Sequence, residues 1–147
     1  MKMQWVQAAP FRAHLEAVAF ESKIPWPALA LAAGVSTELA RHLLFGRNGR
    51  PISKITSQCG IRLLGLNTAT AKGLRNSYVP SQPTQNRVKQ LLSQEASIPQ
   101  LAAWCELPLA EFTAMLEAPR CSRYLELMIK AACLLRPQLV GVTRRAA

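Results

Sequence analysis

Side chains that can move protons, attack carbonyls or hold metals are scarce in this chain. It carries two histidines, His14 and His42, four cysteines and eight glutamates, and it has no aspartate. The missing aspartate excludes an Asp-containing triad, an aspartate-held Mg²⁺ site and an EF-hand. His14 and His42 fall in different predicted helices with no nucleophile–base spacing between them, so the chain is not expected to be an enzyme. Cys59, Cys105, Cys121 and Cys133 include no CxxC pair of the kind that holds structural zinc. Each stands among apolar neighbours and reads as a small core residue in a reducing cytosol. No metal and no cofactor are expected.

The chemistry that remains is that of the bases. Lysine and arginine number 18 against 8 acids, a formal charge of +10, and such a chain is expected to meet a polyanion. The placement is uneven. Between Glu38 and Glu95 stand Arg41, Arg47, Arg50, Lys54, Arg62, Lys72, Arg75, Arg87 and Lys89, with no acid among them. An ordinary solvated face interleaves both signs. An uninterrupted run of one sign suits a surface that tracks phosphates. From Gln90 onward the balance is six bases to five acids.

The elements that must position these bases read as helices. The chain has 147 residues, half of them hydrophobic, enough for one domain or two very small ones. Pro10 opens a helix with Phe11, Leu15 and Val18 on one face, and Pro27 starts a second that Gly34 stops. Ser36 caps a third helix from Thr37 to Phe45, and Thr56 caps a fourth. Thr84, Pro99, Pro108 and Pro119 mark a second helical series, which Pro137 ends. A shift of 72 residues lays Leu29-Ala30 on Leu101-Ala102, and a shift of 71 lays Leu63-Leu64 on Leu134-Leu135, suggesting an internal repeat. The expected fold class is therefore all-α, with two small helical units: residues 1–66, a basic linker 67–85, a second unit 86–137 and a basic tail 138–147. The amino terminus lacks the continuous apolar run of a signal peptide, and no stretch is apolar and long enough to span a membrane, so a cytoplasmic location is expected.

Residues 29–46 read as a helix-turn-helix. Ala30 is small where two helices cross, Gly34 takes the left-handed turn, Val35 plugs the angle, and Ala40 with Leu43 and Leu44 anchors the second helix. Ser36, Thr37, Glu38, Arg41 and His42 are left outward as candidate base contacts for a helix entering the major groove. The loop Gly46-Arg47-Asn48-Gly49-Arg50-Pro51 follows. Its glycines permit close backbone approach, its paired arginines suit a narrow minor groove, and Gly49-Arg50-Pro51 resembles the core of an AT-hook. Arg47, Asn48, Gly49, Arg50 and Lys54 are the candidate minor-groove or phosphate contacts of this unit. Arg87, Lys89, Arg120 and Arg123 are those of the second.

Phe11-Arg12-Ala13-His14, Ala32-Ala33-Gly34-Val35, Leu43 through Pro51 and Ile61-Arg62-Leu63-Leu64 together resemble a helix-turn-helix family of actinobacteria and their phages. In that family Leu-Leu-x-Gly-Arg-x-Gly-Arg-Pro follows the recognition helix. The resemblance extends over most of the chain, since the family commonly continues with a second helix-turn-helix-like unit similar to residues 86–135. It implies a sequence-specific double-stranded DNA-binding regulator, in phages an immunity repressor, working at the bacterial nucleoid or in a phage-infected host cell. The second unit departs from the pattern. Glu106 stands for the turn glycine, Pro108 for the capping serine, and Leu109, Ala110, Glu111 and Thr113 supply no base.

Two other readings stay open from the residues alone. One is a recombination directionality or architectural DNA-binding factor. The other is a protein-interaction module acting on host machinery, in which Trp26, Trp104 and Phe112 form a docking face and the near-neutral second unit binds a partner. No heptad seam is present, so a monomer or weak dimer is expected, with no membrane partner.

Overall fold

The computed structural model describes residues 4–135. The chain divides between Gly73 and Leu74 into two compact units. The first runs β1 (Trp5–Gln7), α1 (Ala9–Ser22), α2 (Trp26–Ala33), α3 (Thr37–Phe45), β2 (Lys54–Thr56), α4 (Ser57–Leu64) and α5 (Thr68–Gly73). The second runs β3 (Tyr78–Pro80), α6 (Gln82–Ser93), α7 (Ile98–Trp104), α8 (Leu109–Glu117), β4 (Arg120–Ser122) and α9 (Arg123–Leu134). Pro137 and the basic tail 138–147 lie outside the described residues.

Helices dominate, but the all-α expectation needs correcting. Each unit contains a two-stranded antiparallel sheet, β1 with β2 and β3 with β4. Strands of three residues are too short to show an alternating pattern in sequence. They form because distant segments are brought together: Trp5 faces Thr56, and Tyr78 faces Ser122. Each sheet clasps the start of the unit's first helix to the start of the helix that follows its second strand. The N–H of Ala8 donates to the Ser53 carbonyl and that of Ser57 to the Gln4 carbonyl; in the second unit Ser81 donates to Pro119 and Arg123 to Ser77. The second strand then ends on a hydroxyl that caps that helix, Thr56 for α4 and Ser122 for α9.

The segment 67–85, expected as a linker, contains α5, β3 and the first turn of α6. Its polar residues act as caps and turns. Asn67 Oδ1 accepts from the Thr70 N–H at 2.8 Å, and Ala71 is fully buried in a helix that packs on α1. Thr84 is not the cap of α6. The helix begins at Gln82, and Thr84 is fully buried inside it.

The internal repeat is present in the order of elements, with one register corrected. The offset is 72 residues between α3 and α8 but 66 between α4 and α9. Leu63 therefore corresponds to Ile129 rather than to Leu134. The difference lies in one connection. Residues 46–53 join α3 to β2, whereas only Ala118 and Pro119 join α8 to β4.

The cores follow the apolar faces. Leu15, Val18, Leu29, Ala30, Leu43, Ile55 and Leu63 are buried in the first unit. Gly60 packs closely there: a Cβ on it would stand 2.8 Å from the Phe11 ring, which would have to shift. In the second unit Phe112 is fully buried and Trp104 Nε1 donates to the Met128 carbonyl at 2.7 Å, so Phe112 is core and Trp104 is a tie between helices. The Tyr124 hydroxyl donates to the Cys105 carbonyl at 2.6 Å. Burial pushes the Tyr124 phenol and the Cys105 thiol above their ordinary ranges, in Tyr124 against the pull of Arg75, whose guanidinium lies 4.1 Å over the ring.

Both units turn between their second and third helices in the same way. Gly34 is left-handed at φ 82, and Val35 donates back to the Ala30 carbonyl; Glu106 is left-handed at φ 55, and Leu107 donates back to Ala102. This is the Schellman arrangement, which glycine adopts without the Cβ clash. Glu106→Gly is therefore expected to stabilise the second unit by about 0.5–1 kcal/mol, the left-handed penalty less the entropy glycine adds to the unfolded chain. Gly60→Ala should destabilise the first by up to about 2 kcal/mol, since overpacking on the Phe11 ring costs about 1–3 kcal/mol and the gain in helix propensity offsets about 1 kcal/mol of it. Urea or thermal unfolding of the two variants checks both signs.

Candidate nucleic-acid interface

The first unit presents a helix, a three-residue turn and a second helix that leads straight into a basic hairpin. Around the turn Ala30, Val35, Ala40 and Leu43 are buried, as their spacing requires. The turn is also tied from outside: Arg62 donates to the Gly34 carbonyl at 3.0 Å. Ser36 caps α3, accepting from the Leu39 N–H at 3.0 Å, and stays exposed with Glu38 on the first turn. Thr37 is a correction. Only 6% of it is exposed, because its position on the first turn faces the packed side of α3 rather than solvent.

Arg41 and His42 are half-buried. The Arg41 Nε is shielded from solvent without a partner, and its Nη2 lies 3.4 Å from His42 Nε2. Arg41 therefore offers its outer guanidinium edge, beside the imidazole, rather than a freely swinging side chain.

The loop after α3 is a tight hairpin. Arg47 N–H donates to the Arg50 carbonyl at 2.8 Å and Arg50 N–H returns to Arg47 at 3.1 Å. Asn48 and Gly49 between them have φ 54 and φ 78. Positive φ at both central positions marks a type I′ turn, for which Asn-Gly is the preferred pair. Arg47 and Arg50 are thereby directly opposite residues of an antiparallel bridge, with side chains on one face. Both are exposed, as are Asn48, Gly49 and Lys54.

Within the chain, the tight backbone contact of this loop is at Gly46. A Cβ on Gly49 would meet nothing within 4 Å, whereas one on Gly46 would stand 2.5 Å from the Arg50 carbonyl oxygen. Gly46 also takes φ 83 with ψ 177, a region essentially reserved for glycine. Its N–H ends α3 by donating to the His42 carbonyl at 2.8 Å.

One residue with no role in the sequence reading proves central. Arg12, on α1, donates from Nε to the Leu43 carbonyl at 2.6 Å and from Nη2 to the Ile52 carbonyl at 2.7 Å. It thus joins the last turn of α3 to the far end of the hairpin loop. His14 Nε2 similarly meets the Leu66 carbonyl at 2.7 Å. Arg12, His14 and Arg62 are each engaged with backbone carbonyls.

In the second unit the corresponding connection is too short for a hairpin, and its bases are more committed. Arg120 donates to the Tyr78 carbonyl at 2.8 Å, and Arg123 pairs with Glu126 at 2.5 Å. Lys89 is exposed and lines a shallow cleft of about 340 Å³ with Gln82, Asn86 and Glu117; Arg87 is half-buried on the same helix. Among the described residues no group of three or more His, Cys, Asp or Glu could hold a metal ion, and no helix is long and apolar enough to cross a membrane. Neither the protein-family models, nor the curated proteins, nor the solved structures include a match to this chain.

The two glycines of the loop should separate in experiment. Gly46→Ala should open the hairpin, because the new Cβ collides with backbone. Gly49→Ala should cost only the left-handed penalty, about 1 kcal/mol. Amide hydrogen exchange at Arg47 and Arg50 reads the difference, with fast exchange expected in the Gly46 variant and near-native protection in the other.

Proposed function

We propose that this protein is a sequence-specific double-stranded DNA-binding regulator that acts as a transcriptional repressor. In this reading α2, its turn and α3 form a helix-turn-helix, with α3 as the recognition helix. The observation that carries it is the Arg47–Arg50 hairpin. Like charges directly opposite on an antiparallel pair repel and destabilise it. Here the fold fixes such a pair with an Asn-Gly turn, a glycine-only bend at Gly46 and the Arg12 bridge. That cost is offset when a polyanion lies against the two guanidinium groups. Immediately before the hairpin stands a capped helix presenting Ser36, Glu38, Arg41 and His42.

Roles divide by position. Arg41, with Glu38 and His42, faces base edges in the major groove, where an arginine edge reads guanine. Arg47 and Arg50 enter the adjacent minor groove or clamp its phosphates, with Lys54 alongside. Arg87 and Lys89 supply backbone contacts in the second unit. Arg120 and Arg123 contribute less, since one is held by a carbonyl and the other by Glu126. Occupying a promoter in this way blocks polymerase by exclusion.

Selection from random duplexes by gel shift tests the reading, and failure to enrich any sequence would overturn it. On the selected site, Arg41→Ala should lose about 1–3 kcal/mol while affinity for random DNA changes little. Replacing both Arg47 and Arg50 by alanine should weaken binding to all sequences. It should also flatten the slope of log affinity against log salt by about 0.9 for each phosphate that is no longer neutralised. A minor-groove drug should compete with the native chain but not with this double variant.

A further inference from the structure

The first unit has a second surface whose chemistry is opposite to that of the hairpin. A groove of about 620 Å³ opens between α1, the start of α2 and the end of α3. Its walls are aromatic. Phe20 is 80% exposed and Phe45 64% exposed, and Trp26 meets Phe45 edge-on at 5.8 Å. Isolated surface hydrophobes are ordinary, but aromatic rings gathered in one groove are not. Its rim is acidic. Between residues 4 and 73 the chain has three acids, Glu16, Glu21 and Glu38, and two of them, Glu16 and Glu21, line this groove. The same stretch carries eight bases.

The charge selects the occupant. Phosphates of DNA and anionic lipid headgroups are repelled by the two carboxylates. A second copy docked face to face on a two-fold axis would set Glu16 and Glu21 against their own images. A cation on an apolar stem meets both features: carboxylates pair with a guanidinium or ammonium, and aromatic faces attract it. The chain's own Lys23 ammonium already sits 5.8 Å over the Phe20 ring. Glu21 is held in place by the Thr68 hydroxyl at 2.8 Å. We infer that this groove is a docking site for an arginine- or lysine-bearing apolar segment of a protein partner, separate from the basic surface.

The test uses the full chain without DNA. It is titrated with a blocked peptide of alternating leucine and arginine, and the Trp26 indole N–H resonance is followed. A saturable shift is expected, with at least tenfold weaker binding in the Glu16→Gln/Glu21→Gln variant and in Phe20→Ser. A leucine–glutamate peptide should give no shift. Phe20 is exposed enough that its variant should melt as the native chain does. Equal affinity in the native chain and the carboxamide variant, or no movement of Trp26, would overturn the proposal. A shift that tracks protein concentration without peptide would overturn it in favour of a second copy. Gel shifts of the same variants should match the native chain, so failure of this site and failure of DNA binding remain distinguishable.

Discussion

The Arg12 guanidinium spans two carbonyls on either side of the basic hairpin, those of Leu43 and Ile52. One belongs to the last turn of α3, whose carbonyls lack helical partners and carry the negative end of the helix dipole, so a cation is favoured there. The other closes the hairpin loop. With this bridge, α1 fixes both the end of the exposed helix and the return of the chain from the basic turn. The helix that carries Glu38 and Arg41 and the loop that carries Arg47 and Arg50 therefore share one anchor. Preorganisation of this kind removes the ordering cost that a flexible arginine loop would meet on binding a polyanion.

The second unit shows what the same scaffold does without that device. At the place of Arg12 stands Gln85, which reaches only the Leu116 carbonyl, at 2.7 Å. Its partner loop has shrunk to Ala118 and Pro119, and a neutral amide suffices where there is a single carbonyl to satisfy. Arg62, which ties the turn to α4 in the first unit, has no basic counterpart; Tyr124 and Trp104 do the corresponding work with a phenol and an indole. The two units thus share a strand clasp, helix order and turn geometry, and Lys54 has a basic counterpart in Arg120, but Arg41, Arg47 and Arg50 have none. The scaffold is set by backbone hydrogen bonds and buried faces, which leaves its surface groups free to diverge.

The helices and their caps were legible in the sequence because their causes are local. Ser36 and Thr56 cap where expected, Gly34 turns where expected, and Leu15, Val18, Ala30, Ala40, Leu43 and Leu63 are buried as expected, whereas Leu64 is exposed and Leu44 only half-buried. Less was legible where a cause was distant. The strands are three residues long and exist only as pairs across the unit. Polar residues between 67 and 81 look like a linker until α1 and β4 are there to receive them. Thr37 reads as outward by spacing alone, yet the packing of its turn buries it.

Composition and local chemistry by themselves determined the basic character, the absence of aspartate chemistry, the helix starts and stops, and the loop that bears Arg47 and Arg50. Those properties depend on residue type and on neighbours a few positions away. Tertiary structure alone decided that Arg12 holds the loop, that Gly46 packs against the Arg50 carbonyl, and that the repeat shifts register by the length of one connection. It also gathered Glu16, Glu21, Phe20, Trp26 and Phe45 into one groove. Each of these rests on atoms that are remote in sequence and meet only when the helices pack.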